Sequence, residues 1–270
     1  RDARFTFKDL SNMATILFPT PTRGADGSSM FFIESARKLF VGLGLYLIET
    51  EKDPHRDLSD IHQRTTITNL FKLTTPSDGT NLSAWLAKTI KLREQKPQTD
   101  LSEPCKTLLR EFINSDKETA QNILSSMTAP LGIFLDPIVE AATSDDDFRL
   151  DRVRQERMTI YIGVIPTEAV TFSRLLNLFF SQLIDVNVQQ GLPENNPRLQ
   201  YQCLLLMDEF TALGNIPAVQ HGVSYIAGYG LRLLIIIQAP SQVEAVYGRE
   251  NMKTFYQLHL PHFLHPARTG

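Results

Sequence analysis

Two adjacent carboxylates, Asp208 and Glu209, follow directly on the apolar run Cys203-Leu204-Leu205-Leu206-Met207. A run this short and this apolar predicts a strand buried on both faces. In open parallel sheets, ligands sit beyond the carboxyl ends of the strands, which is where both acids fall. Such a pair suits hydrolysis of ATP. Asp208 would hold Mg²⁺ directly or through water, and Glu209 would orient or deprotonate the attacking water. The competing reading is a strand that runs out into a solvated acidic turn and does no chemistry.

A second apolar run, Leu231-Arg232-Leu233-Leu234-Ile235-Ile236-Ile237, ends at Gln238. Ala239-Pro240-Ser241-Gln242 then breaks the strand and opens a helix, with Ser241 and Glu244 spaced as a capping box. Between the runs, residues 216–228 have the length of a helix and are closed by Gly228 and Gly230. Strand, helix and strand in this order form a crossover unit that sets Gln238 beside the two acids. A neutral amide there can sense a γ-phosphate or hold a water without competing for the metal. Otherwise Gln238 only caps its own strand end.

The run LLLMDEFTALGNIP, followed by YIAGYGLRLLIIIQAPSQVEAVYG, resembles the conjugative coupling proteins of type IV secretion systems. The likeness lies in the order of features: an acidic pair at a strand end, a helix, a second strand, then Q-x-x-S-Q and Tyr-Gly. It extends upstream to Phe31-Phe32 at a helix start, Asp147-Phe148-Arg149-Leu150, and Thr159-Ile160-Tyr161-Ile162-Gly163-Val164-Ile165-Pro166, and it weakens after about Phe255. The resemblance implies an α/β fold: a RecA-like, mostly parallel sheet flanked by helices, with an inserted all-α domain. It implies an ATPase at the cytoplasmic face of the bacterial inner membrane, hexameric when intact, that uses ATP and Mg²⁺. It would deliver DNA (a relaxase-bound single strand) or protein effectors to secretion-channel components. In that pattern Asp208 and Glu209 take the Walker B role and Gln238 matches the glutamine ending the next strand.

Two departures from the family pattern stand out. No G-x-x-x-x-G-K-[ST] phosphate loop occurs in the 270 residues, and Gly24-Ala25-Asp26-Gly27-Ser28-Ser29, the nearest glycine-bearing loop, lacks the lysine. In the family that loop lies N-terminal to this region, and a chain that opens at Arg1 without an initiator Met fits a fragment. The family also often carries an arginine before the second strand that reaches a neighbouring subunit's nucleotide. Ala227 and Tyr229 occupy that neighbourhood here, and Arg232 is the nearest candidate for contact with the nucleotide.

The elements that must position these residues divide the chain into three parts. Residues 1–30 are expected to be the N-terminal part of the nucleotide-binding domain, 31–148 an all-α domain, and 149–270 the C-terminal, Walker B part. In the first, Phe5-Thr6-Phe7 reads as a short strand and residues 10–18 as a short helix. In the second, a helix starts at Phe31 and runs to 50, and another spans 59–73. Asn81 or Ser83 caps a third, Ser102 a fourth and Asp116 a fifth, which ends or kinks near Pro130. The third part holds an expected strand over 159–165, a long helix over 170–190, and the two strands that carry the site.

Composition sets outer bounds. The formal net charge is −3 and the pI is about 6.1, so nothing global attracts nucleic acid and any contact must be local or come from an assembled ring. The tract Lys88-Thr89-Ile90-Lys91-Leu92-Arg93 is the local candidate for phosphates, set against a solvated helix face whose charge suits the helix dipole. Trp85 is read as core rather than as a base-stacking platform, and Ser144-Asp145-Asp146-Asp147 as an acidic linker. Cys105 and Cys203 read as reduced thiols, and the histidines of the divergent stretch 257–270 are too loosely spaced for a metal cage. The most apolar helical stretch, residues 39–48, falls far short of the roughly 20 residues a bilayer needs. Two other functions are weighed against a coupling ATPase. One is a non-hydrolysing, cargo-recruiting adaptor, which the missing phosphate loop favours. The other is a different RecA-like DNA translocase, which the helical insertion disfavours.

Overall fold

The structure, a computed structural model, describes residues 3–20, 27–51 and 65–257. The chain forms two compact units, Arg1–Asp146 and Asp147–Gly270. The acidic run at 144–147 falls on the division between them.

The first unit is helical: α1 (Ala3–Leu17), α2 (Gly27–Thr50), α3 (Ile67–Leu73), α4 (Leu82–Glu94), α5 (Glu103–Ile113), α6 (Lys117–Leu131) and α7 (Pro137–Ala142). Most starts are written in local side-chain oxygens. Thr66, Asn81, Ser102, Asp116 and Asp136 each accept hydrogen bonds from amides of the first turn they cap. Pro130 sits inside the last turn of α6, and a 3₁₀ turn, Gly132–Leu135, follows it.

Helix α2 is the axis of this unit, with α1, α5 and α6 packed around it. Its buried stretch contains two glycines that let neighbours come close. A Cβ on Gly44 would lie 2.8 Å from Leu10 Cδ2 on α1, and one on Gly42 would lie 3.0 Å from Leu109 Cδ2 on α5. Cys105 Sγ also donates to the Gly42 carbonyl at 3.6 Å. Trp85 meets Tyr46 edge-on, with ring centroids 5.7 Å apart. The basic tract lies on α4 and splits: Lys88 and Lys91 are exposed, while Arg93 lies over the Tyr46 ring and donates to the Thr99 carbonyl.

Several expectations in this unit are corrected. Phe5-Thr6-Phe7 is not a strand but part of α1, because Leu10, Ala14 and Leu17 bury at helical spacing and that tertiary gain overrides local β preference. The described part of residues 1–30 therefore packs with the helices, whereas the sequence reading set it with the nucleotide-binding domain. Helix α2 starts at Gly27 rather than Phe31, so Gly27, Ser28 and Ser29 form its first turn instead of a loop. The helix expected over 59–73 begins only at Ile67, because Thr66 is its cap; residues 52–64 lie outside the described residues.

The second unit holds α8 (Ala169–Gln189), β1 (Cys203–Met207), α9 (Pro217–Gly222), β2 (Leu231–Ile235), α10 (Pro240–Tyr247) and α11 (Arg249–Gln257). β1 and β2 pair in parallel, in register from Cys203 with Leu231 to Met207 with Ile235. The segment 216–228 is not one helix. It splits into α9 and a 3₁₀ turn, Ile226–Tyr229, before Gly230 turns the chain with φ 74°.

Contrary to the expectation of burial on both faces, β1 is buried on one. Leu205 and Met207 enter a core with Ile184, Phe210, Ile216 and Val219, while Leu204 and Leu206 are more than half exposed. Residues 159–165 join no ladder among the described residues. Met158 and Ile160 pack on the core, while Tyr161 points to solvent.

Arg154 ties the unit together from within. Its side chain is fully buried. It donates to the carbonyls of Asn187, Gly191 and Tyr229 and to the side-chain oxygens of Asn187 and Gln190. These acceptors take the place of a carboxylate, and those at the end of α8 add the negative pole of its dipole. The clamp joins the end of α8 to the turn that leads into β2.

Candidate site at the ends of two parallel strands

Beyond Met207 the chain turns at once. Asp208 Oδ1 accepts the Glu209 amide at 3.1 Å, and both acids are exposed. Glu209 takes a left-handed backbone conformation (φ 51°, ψ 46°), the one positive φ outside glycine among the described residues. For a residue with a Cβ this costs roughly 1–2 kcal/mol, so the surroundings must enforce it. They do so through Phe210, which is fully buried and whose amide donates to the Ile236 carbonyl at 3.1 Å. A 3₁₀ turn, Phe210–Leu213, follows, closed at its start by Ala212 N donating to Glu209 O at 2.8 Å.

β2 delivers Gln238 to the same place. Its Nε2 lies 3.5 Å from Glu209 Oε1, a long contact between two exposed side chains. The expected capping box of Ser241 and Glu244 does not form. The cap residue of α10 is Ala239, which has no side-chain acceptor, and Ser241 falls inside the first turn. Gln242 fills the role instead: its Oε1 accepts the amides of Gln238 and Ala239 at 3.3 and 3.4 Å.

Glu209, Gln238 and Gln242 border an open cleft of about 320 Å³, and Asp208 is not among its lining residues. Glu209, Gln238, Gln242 and Thr211 give it polar walls; Ala212, Ala245 and Val246 give it a small, apolar side. No Lys or Arg lines it, so a triphosphate would find no compensating cation among these residues. Mg²⁺ is a better fit. It takes one or two carboxylates and completes its octahedron with water and phosphate oxygens, and the exposed Asp208 can supply such a carboxylate. Among the described residues no cluster of three or more His, Cys, Asp or Glu is built to hold a metal by itself.

Arg232 is not brought to this cleft. It sits near the start of β2, on the exposed face, and its Nε donates to Gln202 Oε1 at 3.2 Å. Gln238 is six residues further on, about 20 Å along an extended chain. Neither cysteine takes part. Burial pushes both thiols up, so they stay protonated. The histidines of 258–270 lie outside the described residues. Among those described, no helix is long and apolar enough to cross a membrane.

Two residues at the site carried no role in the sequence reading. Gln242 stood in the Q-x-x-S-Q run, four positions after Gln238 and in the first turn of α10. Tyr247 stood in the Tyr-Gly pair, but an aromatic residue in an apolar helix looks like core.

The protein family described as type IV secretory system conjugative DNA transfer matches residues 1–262. The protein VirD4 of Rhizobium rhizogenes is 30% identical over 254 residues, which is 92% of this chain and 33% of VirD4. Conjugal transfer protein TraG of Escherichia coli is 24% identical over 155 residues, covering 54% of this chain and 24% of TraG. Among solved structures, plasmid coupling protein TrwB in complex with ADP and Mg²⁺ superposes with a TM-score of 0.58 at 17% identity, over 93% of this chain and 52% of that one. A likeness at that identity establishes the fold, which is the RecA-like α/β fold of that protein. The chain spans about a third of the length of VirD4.

Proposed function

The chain belongs to the type IV secretory conjugative DNA transfer family, and we propose that it is the Walker B side of a coupling ATPase that delivers DNA or protein substrates to a secretion channel. The observation that carries this reading is the meeting of Glu209 and Gln238 across the cleft at the ends of two adjacent parallel strands. A solvated acidic turn has no need of a glutamine delivered to it by the neighbouring strand, nor of an enforced left-handed glutamate.

In this reading Asp208 holds Mg²⁺, directly or through water. The metal supplies neutralisation of phosphate charge and a fixed orientation for the nucleotide. Glu209 accepts a proton from, or orients, the attacking water. Gln238 donates through Nε2 and reports the state of the terminal phosphate to β2. Arg232, remote from its own cleft, acts on the nucleotide of a neighbouring subunit in a hexamer. ATP and Mg²⁺ are the cofactors, supported by the TrwB complex with ADP and Mg²⁺. The phosphate cradle comes from outside these 270 residues. The helical unit, residues 1–146, is the part that receives cargo, and the assembly works at the cytoplasmic face of the inner membrane. The non-hydrolysing adaptor stays as a second reading because these residues contain no phosphate loop.

The test is Mg²⁺-dependent nucleotide binding by full-length protein that carries both this segment and a phosphate loop. Asp208→Ala should weaken Mg²⁺–ATP binding and abolish its dependence on Mg²⁺. Unchanged Mg²⁺-dependent affinity would remove Asp208 from the metal shell and favour the adaptor.

A further inference from the structure

The mechanism above assigns no work to Tyr247, yet its hydroxyl is placed with care. The side chain is buried. The hydroxyl oxygen accepts the Ile216 amide at 3.2 Å, and its proton is donated to the Gly214 carbonyl at 3.2 Å. Burial pushes the phenol well above its ordinary value, so this proton is always present. The ring stacks on Phe210 at 5.1 Å with an interplanar angle of 8°, and Phe255 packs edge-on against both rings.

These contacts fix the two ends of the turn that presents Glu209. At one end, Phe210 follows the left-handed glutamate, and its ring is held by Tyr247 while its amide holds Ile236. At the other end, Gly214 leaves the 3₁₀ turn with φ 72°, and the Tyr247 hydroxyl holds the backbone on both sides of Asn215. Asn177 on α8 braces the same corner by donating to the Asn215 carbonyl at 3.0 Å. Tyr247 closes α10, the helix whose first turn holds the backbone of Gln238 through Gln242. One eight-residue helix therefore touches both reacting strand ends.

We propose that Tyr247 is a positioning residue for Glu209: through its hydroxyl and ring it holds the 209–216 turn in the conformation that keeps the glutamate carboxylate at the cleft beside Gln238. The catalytic purpose of this clamp rests on the ATPase reading above; the clamp itself does not. Removing the hydroxyl would take away the partner of a buried N–H and of a part-buried C=O and free the turn to shift. Catalysis is sensitive to such shifts, since a misplacement of about 1 Å can cost on the order of 100-fold in rate.

The test uses Tyr247→Phe, which keeps the ring stack and removes only the hydroxyl, with Tyr247→Leu to remove both. Hydrogen exchange on the 270-residue chain should show amides of 209–216 exchanging about tenfold faster in Tyr247→Phe, as expected for one lost hydrogen-bond anchor. Amides of β1 and β2 should be unchanged. In full-length protein, kcat for ATP should fall by about 10- to 100-fold while KM moves less than twofold. Unchanged exchange in both variants overturns the clamp. Faster exchange with unchanged kcat, beside an inactive Glu209→Gln control, overturns the positioning role and leaves the ATPase reading standing. A fall in kcat accompanied by faster exchange throughout β1 and β2 also overturns it, in favour of a purely structural tyrosine. If Glu209→Gln hydrolyses ATP normally, the ATPase reading fails and takes the catalytic purpose with it, and hydrogen exchange still decides whether the clamp exists.

Discussion

Gln238 Nε2 faces Glu209 Oε1 at 3.5 Å, a contact made between side chains that leave two different strands. Parallel pairing in register brings both strand ends to the same edge. The contact is long and exposed, so it adds little to stability. In the proposed mechanism it would let the state of one strand end reach the other.

Gln238→Ala in the full-length protein should therefore leave nucleotide affinity within about twofold and uncouple hydrolysis from transport. An exposed side chain at a strand end changes stability by about 0.5 kcal/mol or less, which excludes unfolding as the cause. Paired measurements of ATP turnover and substrate delivery check this. Normal delivery per ATP hydrolysed would show that Gln238 only ends its strand.

The 270-residue chain alone should have no significant ATPase activity. Its cleft is lined by no cation, and its sequence has no phosphate-loop lysine or amide cradle. Steady-state phosphate release from the purified chain is the check, and robust turnover would demand an unrecognised phosphate site.

How much of this was legible in the sequence depends on how local the signal is. The caps Ser102 and Asp116 were readable, and Asn81 as one of two candidates with Ser83, because a short oxygen-bearing side chain acts on its own next turn. The end of β1 was readable because an apolar run stopped at Asp208, whereas β2 ends at Ile235, two residues before the apolar run 231–237 does. The fate of Phe5-Thr6-Phe7 was not readable, because it is decided by where Leu10 and Ala14 bury rather than by local preference. One-sided burial of β1 was hidden because Leu204, Leu205 and Leu206 are identical, so no alternation marks the exposed face. Gln242 was missed because it caps from the third helical position, beyond an Ala239 that has nothing to cap with. Tyr247 was missed because what distinguishes it from a core ring is the partners of one hydroxyl.

The helical unit should fold alone as residues 1–146, and residues 31–146 should be less stable. The shorter piece loses Leu10, Ala14 and Leu17, which are buried, and uncovers the glycine face of α2 at Gly44. Each large apolar side chain contributes about 1.5–3 kcal/mol when fully buried. Urea unfolding of both pieces checks this; equal stability would show that α1 adds nothing.

That unit should also weaken in acid. Asp100 is held below its ordinary 3.8 by its hydrogen bond to Lys106, and Asp116 and Asp78 are held below theirs by Thr119 and Thr80. A carboxyl depressed in the folded state contributes its stability above the unfolded value and loses it as pH falls through the depressed one. The Tm of residues 1–146 should thus be flat above about pH 5 and decline below about pH 4. Asp100→Asn should be less stable at neutral pH and lose less in acid. A Tm that stays constant to pH 2 would contradict this.

Glu209→Gln in the full-length protein tests the central claim most directly. The amide keeps the size and hydrogen bonding of the side chain, including its contact with Gln238, and removes the charge that activates or orients water. Turnover and nucleotide affinity should be measured on the same preparation. The account predicts that ATP binds with nearly unchanged affinity while hydrolysis is abolished. Hydrolysis at the rate of the unmodified protein would contradict it and remove the catalytic centre from these strand ends.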